Sequence, residues 1–73
     1  MYNYIDERVV IDFPLPGGMV KMMAECEEYD KQDDYANYEP LANNIAWVGG
    51  KLLYSNGKIT KKQWEKLQRR YLM

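Results

Sequence analysis

Seventy-three residues with one cysteine and no histidine allow one small domain, and exclude an internal disulfide, the commonest general base and the commonest metal ligand. The net charge of −1 conceals a sorted distribution: residues 1–47 hold ten of the eleven acids and three bases, a formal −7, whereas residues 48–73 hold seven bases and Glu65, a formal +6. No apolar run approaches the roughly 20 residues of a membrane span, and the Met-Tyr-Asn-Tyr-Ile-Asp-Glu start lacks a signal-peptide pattern, so the chain reads as a complete short frame of a soluble, cytoplasmic protein.

The first segment, residues 2–13, is extended in character. Val9, Ile11 and Phe13 alternate with Val10 and Asp12 at the period of a half-buried strand. Pro14-Leu-Pro16-Gly-Gly18 then stops it. No second strand of equal quality follows, so this segment lies as an arm over helices, pairs with its copy in a dimer, or adds to a partner's sheet. Residues 1–17 are assigned to this arm or short strand.

Met19, Met22, Met23, Cys26 and Tyr29 fall at helical spacing and predict a first helix over roughly 18–31, followed by an acidic linker to 34. Its end has no capping glycine. A second helix is expected over 37–55, starting between Asn37 and Pro40 because proline is tolerated in a first turn. Leu41, Ile45, Val48 and Leu52 form its predicted core stripe, widened by Trp47 and Leu53. Gly49-Gly50 inside that stripe costs about 1 kcal/mol per glycine relative to alanine, which implies either close approach of another segment or a kink. Asn56-Gly57 ends the helix.

The third helix, over 60–72, has the strongest local signal. Thr60-Lys-Lys-Gln63 matches a capping box, flanked by Ile59 and Trp64 in the two staple positions. Trp64, Leu67 and Tyr71 continue the apolar face. The short connection predicts an antiparallel αα-hairpin with helix two. The fold class is therefore mainly α: one three-helix domain with a C-terminal αα-hairpin and an extended N-terminal arm or short strand.

Seven tyrosines, two tryptophans and five methionines are many for this length. They either fill a small core or supply a binding surface. Cys26 on an apolar face reads as a buried, inert thiol. Gly17-Gly18 and Gly49-Gly50 match no phosphate-binding pattern. Asn56-Gly-Lys-Ile-Thr60 has the turn shape of a calcium loop, but the ligand positions fall on Leu52, Tyr54 and Gln63, so calcium is rejected. No catalytic residue, cofactor or metal is expected, and an enzyme is the least expected class.

The acidic stretch offers a surface instead. Glu27, Glu28, Tyr29, Asp30, Asp33, Asp34, Tyr35 and Tyr38 combine carboxylates with anchoring aromatics, suited to a basic groove on a host protein, such as one that holds nucleic acid. The bland counterpart is a solvated acidic helix face. The first alternative function is nucleic-acid binding through Lys61, Lys62, Lys66, Arg69 and Arg70. Direct nucleic-acid contact is disfavoured by the acidic half and the pI of 5.3. The second is a structural homo-oligomer, a dimer through the methionine face or the N-terminal strand.

The tail Gly57-Lys-Ile-Thr-Lys-Lys-Gln-Trp-Glu-Lys-Leu67, following a helix of the Leu41 to Leu53 kind, resembles small helical proteins encoded by bacteriophages and mobile elements of Gram-positive bacteria. That resemblance implies a non-enzymatic inhibitor of the anti-CRISPR or another anti-defence type, whose acidic surface imitates nucleic acid. It spans about 20 residues, mainly a capped helix, and carries over no individual functional residue.

Overall fold

The computed structural model describes residues 4–72. Three helices build it: α1 (Gly17–Lys31), a continuous α2 over 35–55, and α3 (Lys61–Tyr71). No strand occurs among the described residues.

Two of the helix ends close in the same way. After α1, Asp33 takes the left-handed conformation (φ 56°). Its N–H donates to the Asp30 carbonyl, and the N–H of Asp34 reaches the Tyr29 carbonyl at 2.9 Å. After α2, Gly57 (φ 71°) repeats the arrangement, with Gly57 donating to Tyr54 and Lys58 to Leu53. Both are Schellman closures, which satisfy the last carbonyls of a helix. Aspartate does at residue 33 what glycine does at 57, because a short polar side chain tolerates this backbone better than most.

Asp34 then caps α2, accepting from the Asn37 N–H at 3.3 Å and from Asn37 Nδ2 at 2.7 Å. Helix two thus begins at Tyr35, earlier than the proline suggests. Pro40 sits in the second turn, and both it and Ala36, whose carbonyl it leaves without an α-helical donor, are exposed.

The middle of α2, Asn44–Gly49, is a π-helical stretch. The N–H of Gly50 reaches back to the Ile45 carbonyl instead of the Ala46 carbonyl. That frees the Ala46 carbonyl to accept from Trp64 Nε1 at 2.6 Å. Gly50 is buried under the Trp64 ring: a Cβ there would lie 2.7 Å from Trp64 Cδ1. Glycine is required by this close approach, and the irregular turn accommodates it.

The predicted stripe of helix two is corrected in part: Ile45 is buried and Leu41 and Leu53 pack against the core, but Val48, Leu52 and Trp47 do not join it. Tyr38, Ala42, Ile45, Ala46 and Gly50 are the buried residues of α2, whereas Val48 and Leu52 are 65% and 60% exposed and Trp47 is 49% exposed. In the second half of α2 the small residues Ala46 and Gly50 take the side facing α3, so Val48 and Leu52 are left outside.

The predicted capping box of α3 is present in full: Gln63 N–H donates to Thr60 Oγ1 at 3.1 Å and Thr60 N–H to Gln63 Oε1 at 2.8 Å. Helices α2 and α3 form the antiparallel hairpin. Tyr38 Oη donates to the Tyr71 carbonyl at 2.7 Å at one end, and Tyr54 stacks on Trp64 at 5.1 Å at the other. Met19, Cys26, Tyr38, Ile45, Ile59, Leu67 and Tyr71 make up most of the core, with Ile5 from the N-terminal segment.

Residues 4–16 carry no helix or strand. Val9, Ile11, Phe13 and Leu15 are half-buried, alternating with exposed Val10, Asp12 and Pro14. Arg70 holds the segment: its carbonyl accepts from Asp6 N–H at 2.9 Å and its Nη1 donates to the Val9 carbonyl at 2.8 Å. Residues 1–3, which open the sequence-predicted strand, lie outside the described residues.

Candidate functional site

The acidic stretch divides into internal and external parts. Asp30 is fully buried and accepts the Tyr4 backbone N–H at 2.7 Å. Tyr38 is 2% exposed. Asp30 forms no surface, which corrects its assignment to a partner-binding face, whereas Tyr38, almost wholly covered, belongs to the wall of the cleft described next. Glu27 pairs with Arg70 at 3.5 Å, Glu28 accepts weakly from Gln32, and Tyr29 packs half-buried against the core. Helical geometry explains the split, because carboxylates on consecutive residues point around the helix and only some face water.

The external part is gathered at one end of the hairpin. Tyr4, Tyr35 and Tyr38 pack ring against ring, with centroids 4.9 Å apart for Tyr4–Tyr35, 5.1 Å for Tyr4–Tyr38 and 6.0 Å for Tyr35–Tyr38. They line a cleft of about 280 Å³ together with Glu39, Tyr71 and Leu72. Tyr35 is 49% exposed at its mouth. Asp33, exposed, accepts a short hydrogen bond from Tyr4 Oη.

These contacts hold the phenols protonated. The hydrogen bond to Asp33, with burial second, pushes Tyr4 up to about 12. The neighbouring Glu39 carboxylate raises Tyr35, and burial raises both Tyr38 and Tyr71. Burial likewise pushes the Cys26 thiol up to about 12, so it is not a poised nucleophile. At neutral pH the cleft therefore presents neutral phenols and ring faces beside the carboxylates of Glu39 and Asp33. That set of groups suits an organic cation, by ring-face attraction and charge-assisted hydrogen bonding.

Sequence reasoning placed Glu39 in the acidic stretch and missed Tyr4, Tyr71 and Leu72 as members of this site. Glu39 lies four residues after Tyr35, a helical neighbour pair that the spacing itself shows. Tyr4 had no such signal, since it arrives from outside the helices.

The basic set also divides. Arg70 is committed to Val9, Glu27 and the Tyr71 phenol, and Lys66 pairs with Asp12 at 3.2 Å. The first is only 13% exposed in its side chain. Lys61, Lys62 and Arg69 remain exposed. Trp64 and Tyr71, the aromatics available for base stacking, are held in the hairpin.

A second surface lies at the opposite end of the hairpin. Trp47, Val48, Lys51, Leu52 and Ser55 line one shallow face of α2, with Trp47 edge-on to Trp64 at 6.2 Å. Among the described residues, no three of His, Cys, Asp and Glu come together as a metal site, and no helix is long and apolar enough to cross a membrane. In comparisons with known proteins, no family model, curated protein or solved structure matches the chain.

Proposed function

We propose that this chain is a non-enzymatic protein-interaction module that binds a basic surface of another protein through its tyrosine end. The observation that carries this is the cleft where Tyr4, Tyr35 and Tyr38 meet Glu39, open beside exposed Asp33. A partner's arginine or lysine entering there meets ring faces and carboxylates together, while the surrounding acids accelerate encounter. An inhibitor that occupies a basic groove, as the resemblance to phage-encoded anti-defence proteins implies, is the narrower form of this reading. Direct nucleic-acid binding is the weaker alternative, because two of its five cations are engaged internally.

An arginine-rich peptide titrated into the labelled protein tests it by NMR. Shifts are expected at Tyr4, Tyr35 and Glu39, weakening at higher salt, and Tyr35→Ala or Glu39→Lys should reduce affinity about tenfold or more. Absence of peptide binding, or binding that ignores both substitutions, would sink the reading.

A further inference from the structure

Apart from the packing of Trp47 and Tyr54 on Trp64, the outer face of the second half of α2 has no role in the fold or in the tyrosine end. Seven large hydrophobic residues are exposed among the described residues, and four of them, Trp47, Val48, Leu52 and Tyr54, fall within eight positions of this helix. Clustered exposure of that kind, unlike scattered single residues, marks a contact surface. Lys51 sits within the patch. Exposed Lys58, Lys61 and Lys62 follow on the turn and the first turn of α3, against which Tyr54 stacks through Trp64. Glu65 is the lone acid of residues 48–73. The occupant of this ridge is thus apolar in part and acidic.

The same chain carries such a surface. Tyr35 stands about half exposed beside the Glu39 and Asp33 carboxylates. The two surfaces are at opposite ends of the hairpin: one lies by the Tyr38–Tyr71 hydrogen bond, the other by the Tyr54–Trp64 stack. From residue 38 to residue 52 the helix rises about 20 Å. A single copy cannot bring them together, so any contact between them is between copies.

We infer that the protein assembles with itself head to tail, the Trp47–Val48–Leu52 ridge of one copy seating on the tyrosine end of the next. This rests on the reading of the tyrosine end as a site for basic surfaces, and names the chain itself as one such surface. Charge selects this mode over pairing of like ends. Ridge against ridge would bring Lys51 and its neighbours onto the same cations of the partner, and tyrosine end against tyrosine end would oppose carboxylates. Joining unlike ends extends as a chain or closes on itself, in the smallest case as an antiparallel pair in which each ridge meets the other copy's tyrosine end. A net charge of −1 leaves little overall repulsion against it. A basic partner would compete with the neighbouring copy for the tyrosine end.

Sedimentation of the intact chain from about 5 to about 500 µM tests the inference, because assembly of this kind follows mass action. The weight-average mass should rise with concentration and fall as salt increases from about 50 to about 500 mM. Leu52→Glu and Glu39→Lys should each weaken assembly about tenfold or more. Both positions are exposed, and circular dichroism verifies that each variant is folded. An equimolar mixture of the two variants should form one-to-one pairs and stop, because each retains the surface the other lacks.

A wild-type chain that stays monomeric throughout overturns the inference, and so does a monomer whose ridge takes only an added acidic peptide. Assembly lost in Leu52→Glu but untouched in Glu39→Lys overturns it in favour of a twofold ridge contact. Binding of the arginine-rich peptide to a monomeric wild type would leave the tyrosine-end reading standing while self-assembly fails. Loss of both would remove the two together.

Discussion

The two halves of α2 belong to one continuous helix and have opposite fates. In the first, Tyr38 and Ala42 are buried, Asp34 caps the start and the Tyr38 phenol is bonded to α3. In the second, Ala46 and Gly50 make the close contact with α3, Trp47 and Tyr54 only flank Trp64, and Val48 and Leu52 face outward. The difference teaches that large apolar side chains do not by themselves define the inside of a helix. Where a neighbouring element comes close, small residues take the contact and the large ones are displaced to the flank.

The sharpest way to break this contrast is truncation. Ile45→Ala should cost about 2–4 kcal/mol, because it leaves a cavity in a closed core. Leu52→Ala should change stability by less than about 0.5 kcal/mol, as surface substitutions do. Urea unfolding with a constant slope measures both. Equal losses would mean that the ridge is part of the core.

The adjacent glycines sharpen the comparison at the junction. Gly50→Ala places a methyl 2.7 Å from Trp64 Cδ1 and 3.0 Å from the Ile45 carbonyl oxygen. The ring must move and its bond to the Ala46 carbonyl weakens, at a cost of about 1–3 kcal/mol. Gly49→Ala meets Met19 Sδ at 3.1 Å, the flexible part of a pliable side chain. Its gain in helix propensity, about 1 kcal/mol, offsets that contact and leaves a net change near zero. Thermal melts of the two variants should differ accordingly, and a neutral Gly50→Ala would show that the indole is free to relocate.

Alkaline pH acts on the first half through Tyr38, and on α3 through Tyr71. Burial raises both phenols above their ordinary value of 10.0. Below that pH both the folded and unfolded chains keep these protons. Above it the unfolded chain releases them and the folded chain retains them, so stability falls as pH rises. Cys26, held at about 12 against an ordinary 9.0, adds a loss in the same direction from pH 9 upward. Near neutrality these groups contribute no slope, which makes this the smallest of the effects there. Urea midpoints between about pH 8 and about pH 11, read with phenolate absorbance, should show phenols ionising together with unfolding. A Tyr38 or Tyr71 phenol that titrates near its ordinary value while the chain is still folded, resolved by comparison with the Tyr38→Phe and Tyr71→Phe variants, would contradict its burial.

About half of the candidate site could be read along the chain. Asp33, Asp34 and Tyr35 lie in the acidic stretch and reach the tyrosine end, Tyr38 lines it from inside, and Asp30 turns into the core. The difference lies in where α1 ends and the turn at Asp33 redirects the chain, and composition carries no information about that. Tyr4 and Leu72 join from the two ends of the described chain, through Asp30, Asp33 and the hairpin. The commitment of Arg70 is of the same kind, since its acceptors at Val9 and Asp6 belong to a segment more than 60 residues away.

What the sequence determined by itself is whatever a few neighbouring residues settle among themselves. The Thr60–Gln63 capping box, the Gly57 stop and the helical hairpin between them follow from side chains and backbone groups within four positions of one another. The mainly helical class follows from apolar spacing summed over whole segments. Tertiary structure alone decided which face of α2 is inside, that its middle is π-helical, and which acids stay in water. Those depend on where Trp64, Met19 and Tyr4 arrive from elsewhere in the chain, and burial is a property of the arrival as much as of the residue.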